Sequence, residues 1–300
     1  MLQGRFNSLV LVASVGDVDS VAIRVHTSEA RYLRKLRMSR FVVLFMAVAL
    51  TIGTPRALTA AAQDARQICV VIDPGHGGRD SGSIGINGLR EKTATLGTAQ
   101  RLAELLTTQL GARVVLTRRG DYYVSLDDRA KEANGAKGGT PADLFISIHV
   151  GACMERTVNG FQVFYASKRH ELGLDEIIHI DDTGTERSEF RASYRDDAQS
   201  ARWDSQYRKH TEANEMLASS VAAALENRLT MPKLQTAPAV LRLLLGLDMP
   251  AVLVEIGFMS NGSSEAMLST EEFQDTCAQA LLEGIMDYRE VMLDRLSFER

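Results

Sequence analysis

Three cysteines in 300 residues exclude more than they suggest. Cys69, Cys153 and Cys277 show no C-x-x-C spacing, so a zinc ribbon and a thioredoxin-type redox motif are both out. An odd count also leaves no fully paired disulfide framework within one chain, and one bridge at most can form. Basic blocks are missing from the body of the chain. The net charge is -4, and a nucleic-acid partner is not expected. There is no internal repeat and no low-complexity linker. The apolar run from Phe41 to Ile52, "FVVLFMAVALTI", falls short of the ~20 apolar residues that span a bilayer.

What is there is globular. The chain is 45% hydrophobic and 24% charged, and long enough to bury a sizeable core. The apolar run follows a basic stretch, "RYLRKLRMSR" (31–40), and precedes Gly53, Pro55 and the small-residue stretch "ALTAAAQ". Charged region, short apolar region and A-x-A-like site together read as a secretory signal, with the cut expected between Ala62 and Gln63. A buried core helix or an uncleaved anchor is the alternative. Signals usually begin near the N-terminus, so Met38 is the better expected start. Residues 1–62 are accordingly read as an N-terminal extension and signal peptide, and 63–300 as one catalytic domain.

Along that domain, strands alternate with helices. "QICVVID" (67–73), "RVVLTR" (113–118), "DLFISIH" (143–149) and "GFQVFYAS" (160–167) read as strands. So do "AVLRLLL" (239–245) and "PAVLVEI" (250–256). Residues 91–110 carry Leu96, Ala99, Leu102, Leu105 and Leu106 at helical spacing, with Gly111 as a stop. Helices are also expected over 125–139, capped by Ser125, over 211–229, and over 271–293. The charged stretch 168–208 reads as a partly helical insertion. The expected fold is α/β: a single domain with a mostly parallel or mixed sheet of about six strands flanked by helices.

Chemistry in such sheets gathers at the carboxyl ends of strands. The stretch "VVIDPGHGGRDSGSIG" ends a buried strand in a glycine-rich turn around His76. Its glycines fit neither nucleotide-binding spacing, G-x-G-x-x-G nor G-x-x-x-x-G-K-[ST]. Asp73 and His76 follow the first strand, His149 ends the third and Glu255 ends the last. Glu91 opens the first helix. Singly, each has an ordinary explanation: a loop histidine, helix N-terminal charge, a capped strand end, or a carboxylate paired with arginine. Jointly they are costly to bury unless paired or bound to metal. Two histidines and one carboxylate form a catalytic zinc set, and a further carboxylate can serve as base.

The segments "VVIDPGHGGRDSGSIGINGLREK", "LFISIHVGA", "GFQVFY" and "MPAVLVEIGFMSN", in this order and spacing, resemble the zinc-dependent N-acetylmuramoyl-L-alanine amidases of the bacterial cell wall. The resemblance covers about 67–293. It implies zinc held by His76, Glu91 and His149, with Glu255 as the catalytic glutamate. It also implies hydrolysis of the amide between N-acetylmuramic acid and L-alanine of the stem peptide. Asp73, which could orient His76, and Arg242 are candidates for contacts behind the metal or with substrate. Where the family commonly carries Ala-Asn after the second histidine, this chain has Val150 and Gly151. Cys153 nearby is expected to be a buried bystander. The alternatives are a non-catalytic peptidoglycan-binding module and a zinc peptidase acting on the stem peptide. The expected partner is peptidoglycan, for a monomeric protein secreted to the periplasm or cell envelope. In some members of the family an inserted helix covers the zinc cleft until an activator protein displaces it. The glutamates of 168–208 (Glu171, Glu176, Glu186 and Glu189) make that segment an autoinhibitory candidate.

Overall fold

The computed structural model describes residues 10–16, 20–26, 67–166, 179–180, 186–187, 198–239 and 241–298, with side chains for 67–166 and 209–295 except 240 and 245. The chain divides into two compact units, residues 1–66 and 67–300. In the first, β1 (Val10–Gly16) and β2 (Ser20–His26) pair antiparallel. The basic and apolar stretches over 31–52 lie outside the described residues.

The second unit contains a six-stranded mixed sheet. Its strands are β3 (Cys69–Pro74), β4 (Arg113–Leu116), β5 (Leu144–Gly151), β6 (Phe161–Ala166), β9 (Lys233–Ala239) and β10 (Ala251–Phe258). The order is β4-β3-β5-β10-β6-β9. Strands β4, β3, β5 and β10 run parallel; β6 is antiparallel to β10, and β9 follows β6. From β3 the chain goes outward to β4 and then returns to β5 on the other side. The β3/β5 boundary is therefore the point where strand order reverses, the usual place for a ligand crevice in an open α/β sheet.

Helices α1 (Glu91–Leu110), α2 (Leu126–Gly135), α3 (Ala198–Arg228), α4 (Arg242–Leu245), α5 (Gly262–Leu268) and α6 (Glu271–Phe298) cover the sheet. The pleat decides which side chain meets which layer. Val70, Ile72, Ile146, Ile148, Val252 and Val254 point to one face and pack with Leu102, Leu106, Leu217, Val221, Leu281 and Ile285 of α1, α3 and α6. Cys69, Val71, Phe145, Ala251 and Leu253 point to the other and meet Ala133 of α2 with Leu241, Leu243, Leu244 and Leu247. Because the parallel strands are covered on both faces, they read as continuous apolar runs.

Helix α1 spans the expected 91–110, with Gly111 in the left-handed conformation at its end. Ser125 caps α2 by accepting from the Asp128 N–H. One strand assignment is corrected. "AVLRLLL" is not a strand. Strand β9 lies earlier, over Lys233–Ala239, and Arg242–Leu245 is a helical turn. A short apolar run fits a buried strand or a buried helical turn equally well. Here Leu243 and Leu244 bury as successive residues of the turn. The sequence "KLQTAPA" hid β9 because it is an edge strand, polar and carrying Pro238. Helix α3 starts at Ala198, well before the expected 211. Within 168–208, the pair β7 (His179–Ile180) and β8 (Glu186–Arg187) and the start of α3 are described as backbone. The rest of the segment, and the side chains of all four of its glutamates, lie outside the described residues.

Helices α3 and α6 approach closely at Gly284, where a Cβ would stand 2.6 Å from the Val221 Cα. Gly284→Val should therefore lower stability by about 1–3 kcal/mol or more, since the contact is with backbone that cannot swing away. Chemical denaturation measures it; a midpoint unchanged from the parent protein would contradict the packing described.

Candidate metal centre

The turn after β3 holds His76 at φ +61°, the one described residue other than glycine with positive φ. That conformation costs about 1–3 kcal/mol and persists only where its surroundings enforce it. Two buried guanidiniums do so. Arg118 donates to the carbonyls of Pro74 at 3.0 Å and Gly75 at 2.7 Å, and to Lys92 O at 2.9 Å. Arg129 donates to Pro74 O and His76 O, both at 2.8 Å. Burial, then the neighbouring Arg129 cation, brings Arg118 down to about 10, so it stays charged at neutral pH.

Asp73 is fully buried beneath this turn, but it does not reach His76. Its carboxylate accepts from Thr117 Oγ1 at 2.5 Å, Arg129 Nη1 at 2.6 Å and Ser147 Oγ at 2.8 Å. Burial favours its neutral form. The Arg129 charge and the Thr117 hydroxyl outweigh burial and hold it below the usual carboxylate range. The orienting place beside His76 is taken instead by Asp80, whose Oδ2 is 2.8 Å from His76 Nδ1.

With Nδ1 so engaged, His76 turns Nε2 toward Glu91 Oε1 at 3.1 Å, and His149 brings Nδ1 to the same oxygen at 3.1 Å. The rings meet edge to face, with centroids 5.0 Å apart. Glu91 also accepts from Val150 N through Oε1 and from Ser83 N through Oε2, each at 2.9 Å. Burial would raise its pKa, yet hydrogen bonds from His149 and His76 hold it far below the carboxylate range. Burial likewise disfavours the His76 cation, and the hydrogen bonds with Asp80 and Glu91 overcome it and raise His76 to about 10. An ionised carboxylate and two imidazole nitrogens thus face one point.

Ligand atoms of His76, Glu91 and His149 lie within 4.8 Å of one another, the one such group among the described residues. The set fits zinc on donor chemistry. It also fits on spacing, because donors around a tetrahedral zinc with bonds of ~2.0–2.1 Å stand roughly 3.3 Å apart. A histidine ligand whose other nitrogen meets a carboxylate, as His76 meets Asp80, is the usual supporting arrangement.

The glycines leave room for these side chains. A Cβ on Gly75 would stand 2.5 Å from the His149 ring, and one on Gly82 would stand 2.6 Å from His76 and 2.7 Å from Glu91. A Cβ on Gly151 would stand 2.7 Å from Glu255 Oε2. Glu255 pairs with His149 in the register of β10 and β5. Arg242 is exposed and lines the same cleft as His76, Asp80 and His149.

Glu265 of α5 anchors the loop that delivers Glu91. It is buried and accepts from Asn87 N at 2.9 Å and Leu89 N at 3.0 Å. Burial opposes its charge, and these backbone amides hold its pKa below the ordinary value. Cys153 is exposed, not buried, with Sγ 3.1 Å from Glu155 O; all three cysteines are free thiols. Asp80, Arg118, Arg129 and Glu265 were not anticipated from sequence.

Residues 70–287 match the N-acetylmuramoyl-L-alanine amidase family model. The chain is 31% identical over 240 residues to the amidase AmiC of Escherichia coli O6:H1, covering 74% of this chain and 53% of that one. It is 31% identical over 222 residues to AmiA of Escherichia coli K12, covering 73% and 75%. Among solved structures, AmiC2 of Nostoc punctiforme superposes with a TM-score of 0.55 at 29% identity, over 74% of this chain and 97% of that one. The amidase of Clostridium difficile 630 gives 0.58 at 26%, over 75% and 97%. The matched region spans about half the length of AmiC from E. coli. The chain belongs to the N-acetylmuramoyl-L-alanine amidase family, and the α/β sheet described above is that family's fold.

Two outcomes follow from this geometry. Gly75→Ala should displace the His149 ring and weaken uptake of added zinc while the far-side core stays intact; zinc titration with circular dichroism reads both, and uptake equal to the parent's would contradict the close approach described. Asp73, whose folded pKa lies below its unfolded value of about 3.9, contributes stability that is present above pH 4 and lost as pH falls through the folded value. Asp73→Asn should flatten the loss of stability measured as pH falls below about 4; an unchanged slope would contradict the network described.

Proposed function

We propose that this chain hydrolyses the amide bond between the lactyl group of N-acetylmuramic acid and the L-alanine of the peptidoglycan stem peptide, with His76, Glu91 and His149 holding zinc and Glu255 moving the proton. The observation that carries the reading is the trio of His76 Nε2, His149 Nδ1 and the buried Glu91 carboxylate turned on one point, with Glu255 beside His149 on the neighbouring strand. Membership of the amidase family supports the choice of bond. Bound zinc would supply a Lewis acid for the amide carbonyl and lower the pKa of a water to about 7.

The chain's own groups divide the remaining work. Glu255, 8% exposed, takes a proton from the attacking water and passes it to the nitrogen. The C–O bond forms, the C–N bond breaks and the amine leaves neutral. Without that proton the leaving group would be an amide anion, so the transfer is the step that most needs a positioned carboxylate. Asp80 keeps His76 Nδ1 engaged, so that Nε2 is the nitrogen presented. Val124, Leu126, Leu241 and Leu243 give the cleft an apolar wall, which limits competing water. Arg242 on its lining is placed to meet a carboxylate of the stem peptide.

Peptidoglycan lies outside the cytoplasmic membrane, so the proposal includes export to the periplasm or cell envelope directed by residues 31–62. No helix among the described residues is long and apolar enough to cross a membrane. N-terminal sequencing of exported protein should begin near Gln63; an intact N-terminus would make the apolar run an anchor. An activator protein acting through 168–208 belongs to the proposal on the charge of that segment alone.

Digestion of purified muropeptides tests the reaction. Mass spectrometry should show intact stem peptide with a free L-alanine amine; cleavage within the stem would make the chain a peptidase. Glu255→Gln should fold, keep one zinc and lose about 10²–10⁴-fold in turnover, and a loss under tenfold would remove Glu255 from the proton transfer. His149→Ala should lose the metal itself.

A further inference from the structure

Strand register sets four side chains in one row across the sheet. His149 of β5 partners Glu255 of β10, Glu255 partners Gln162 of β6, and Gln162 partners Gln235 of β9. Direct partners on neighbouring strands project to the same face. Beyond Glu255 the row is joined by hydrogen bonds. Gln235 Nε2 donates to Gln162 Oε1 at 2.9 Å, and Gln162 Nε2 donates to Glu255 Oε2.

Only one arrangement of the two amides works. An ionised carboxylate accepts and cannot donate, so Gln162 must turn its NH2 group toward Glu255. Its carbonyl oxygen then faces Gln235, which must present NH2 in turn. Flipping Gln162 would set oxygen against oxygen on one side and NH2 against NH2 on the other. Flipping Gln235 alone would oppose two carbonyl oxygens. Glu255 Oε2 also lies close to Gly151, where a Cβ would stand 2.7 Å from it.

We infer that Gln162 is a positioning residue for Glu255, and that Gln235 fixes the amide orientation that lets Gln162 donate. The inference rests on the reading of Glu255 as the proton carrier. Gln162 hydrogen-bonds Glu255 on one side and Gln235 on the other. It holds the carboxylate of Glu255, within β10, at one angle. A misplacement of about 1 Å in such a group costs on the order of 10²-fold in rate, and loss of a supporting hydrogen-bond partner typically costs about 10–100-fold. Exposure rises along the row, from buried Glu255 through half-buried Gln162 to exposed Gln235. Water can partly replace Gln235, so its removal should matter less.

Steady-state kinetics of the zinc-loaded protein on purified muropeptides test this with three variants. Gln162→Met keeps the length and removes the donor; kcat should fall about tenfold or more, with KM and zinc per chain unchanged. Gln235→Met should lower kcat in the same direction by less, again at unchanged KM. Glu255→Gln is the reference and should lose about 10²–10⁴-fold in turnover. If Glu255→Gln loses turnover to that extent while Gln162→Met stays within twofold of the parent, the positioning role is wrong and the proton-carrier reading stands. If Gln162→Met loses zinc in proportion to activity, its role is structural and the inference is overturned. If Glu255→Gln retains turnover, the reading beneath the inference fails. Should Gln162→Met not fold, Gln235→Met on the exposed edge strand decides: a lower kcat at unchanged KM supports the inference, and an unchanged kcat overturns it.

Discussion

A carboxylate buried to 2% exposure has to be held ionised, and the rest of the site depends on how that is done. Glu91 receives two backbone N–H groups and two imidazoles, which together outweigh the cost of its burial. Those partners come from two stretches of the loop between β3 and α1, and from the end of β5, 58 residues further along the chain. Satisfying one side chain therefore fixes the turn after β3, the loop before α1 and the end of β5 against one another. Removing Glu91 would leave two histidines facing each other with nothing between them; removing either histidine would weaken the case for the charge. This mutual requirement holds the trio's ligand atoms on one point and makes it the candidate cation site.

The surrounding polar groups serve that contact through the backbone. Arg118 and Arg129 take the carbonyls of 74–76, so His76 can sit at positive φ. Glu265 takes the amides of the loop that ends at Glu91, from 178 residues away in sequence. Each is a buried charge whose partners are largely peptide groups. Buried charges of this kind are tolerated only when fully hydrogen-bonded. They tie the folding of the sheet end to the geometry of the site, and a loss of either should be felt in both.

Much of this was legible in the sequence, for physical reasons. The apolar runs of β3, β5 and β10 are long because both faces of the sheet are covered, and an ionisable group at the end of such a run stands out. His149 and Glu255 stand out that way. His76 was found by its glycines, though their purpose is space for the site's own side chains as much as a sharp turn. For Asp73 the position is legible in the sequence, but the direction of its side chain, toward Thr117, Arg129 and Ser147, is not. Asp80, Arg118, Arg129 and Glu265 left little trace because a carbonyl or amide partner has no sequence identity. Strand β9 was missed because an edge strand need not be apolar, and the leucines of 241–245 imitated a strand while forming a helical turn.

The central claim is that His76, Glu91 and His149 form one zinc site serving amide hydrolysis. Anomalous diffraction at the zinc edge, from crystals of active protein, tests it most directly. The account predicts a single strong peak bonded to His76 Nε2, His149 Nδ1 and a Glu91 oxygen. An active protein whose only zinc peak lies elsewhere, or that shows none, would contradict it.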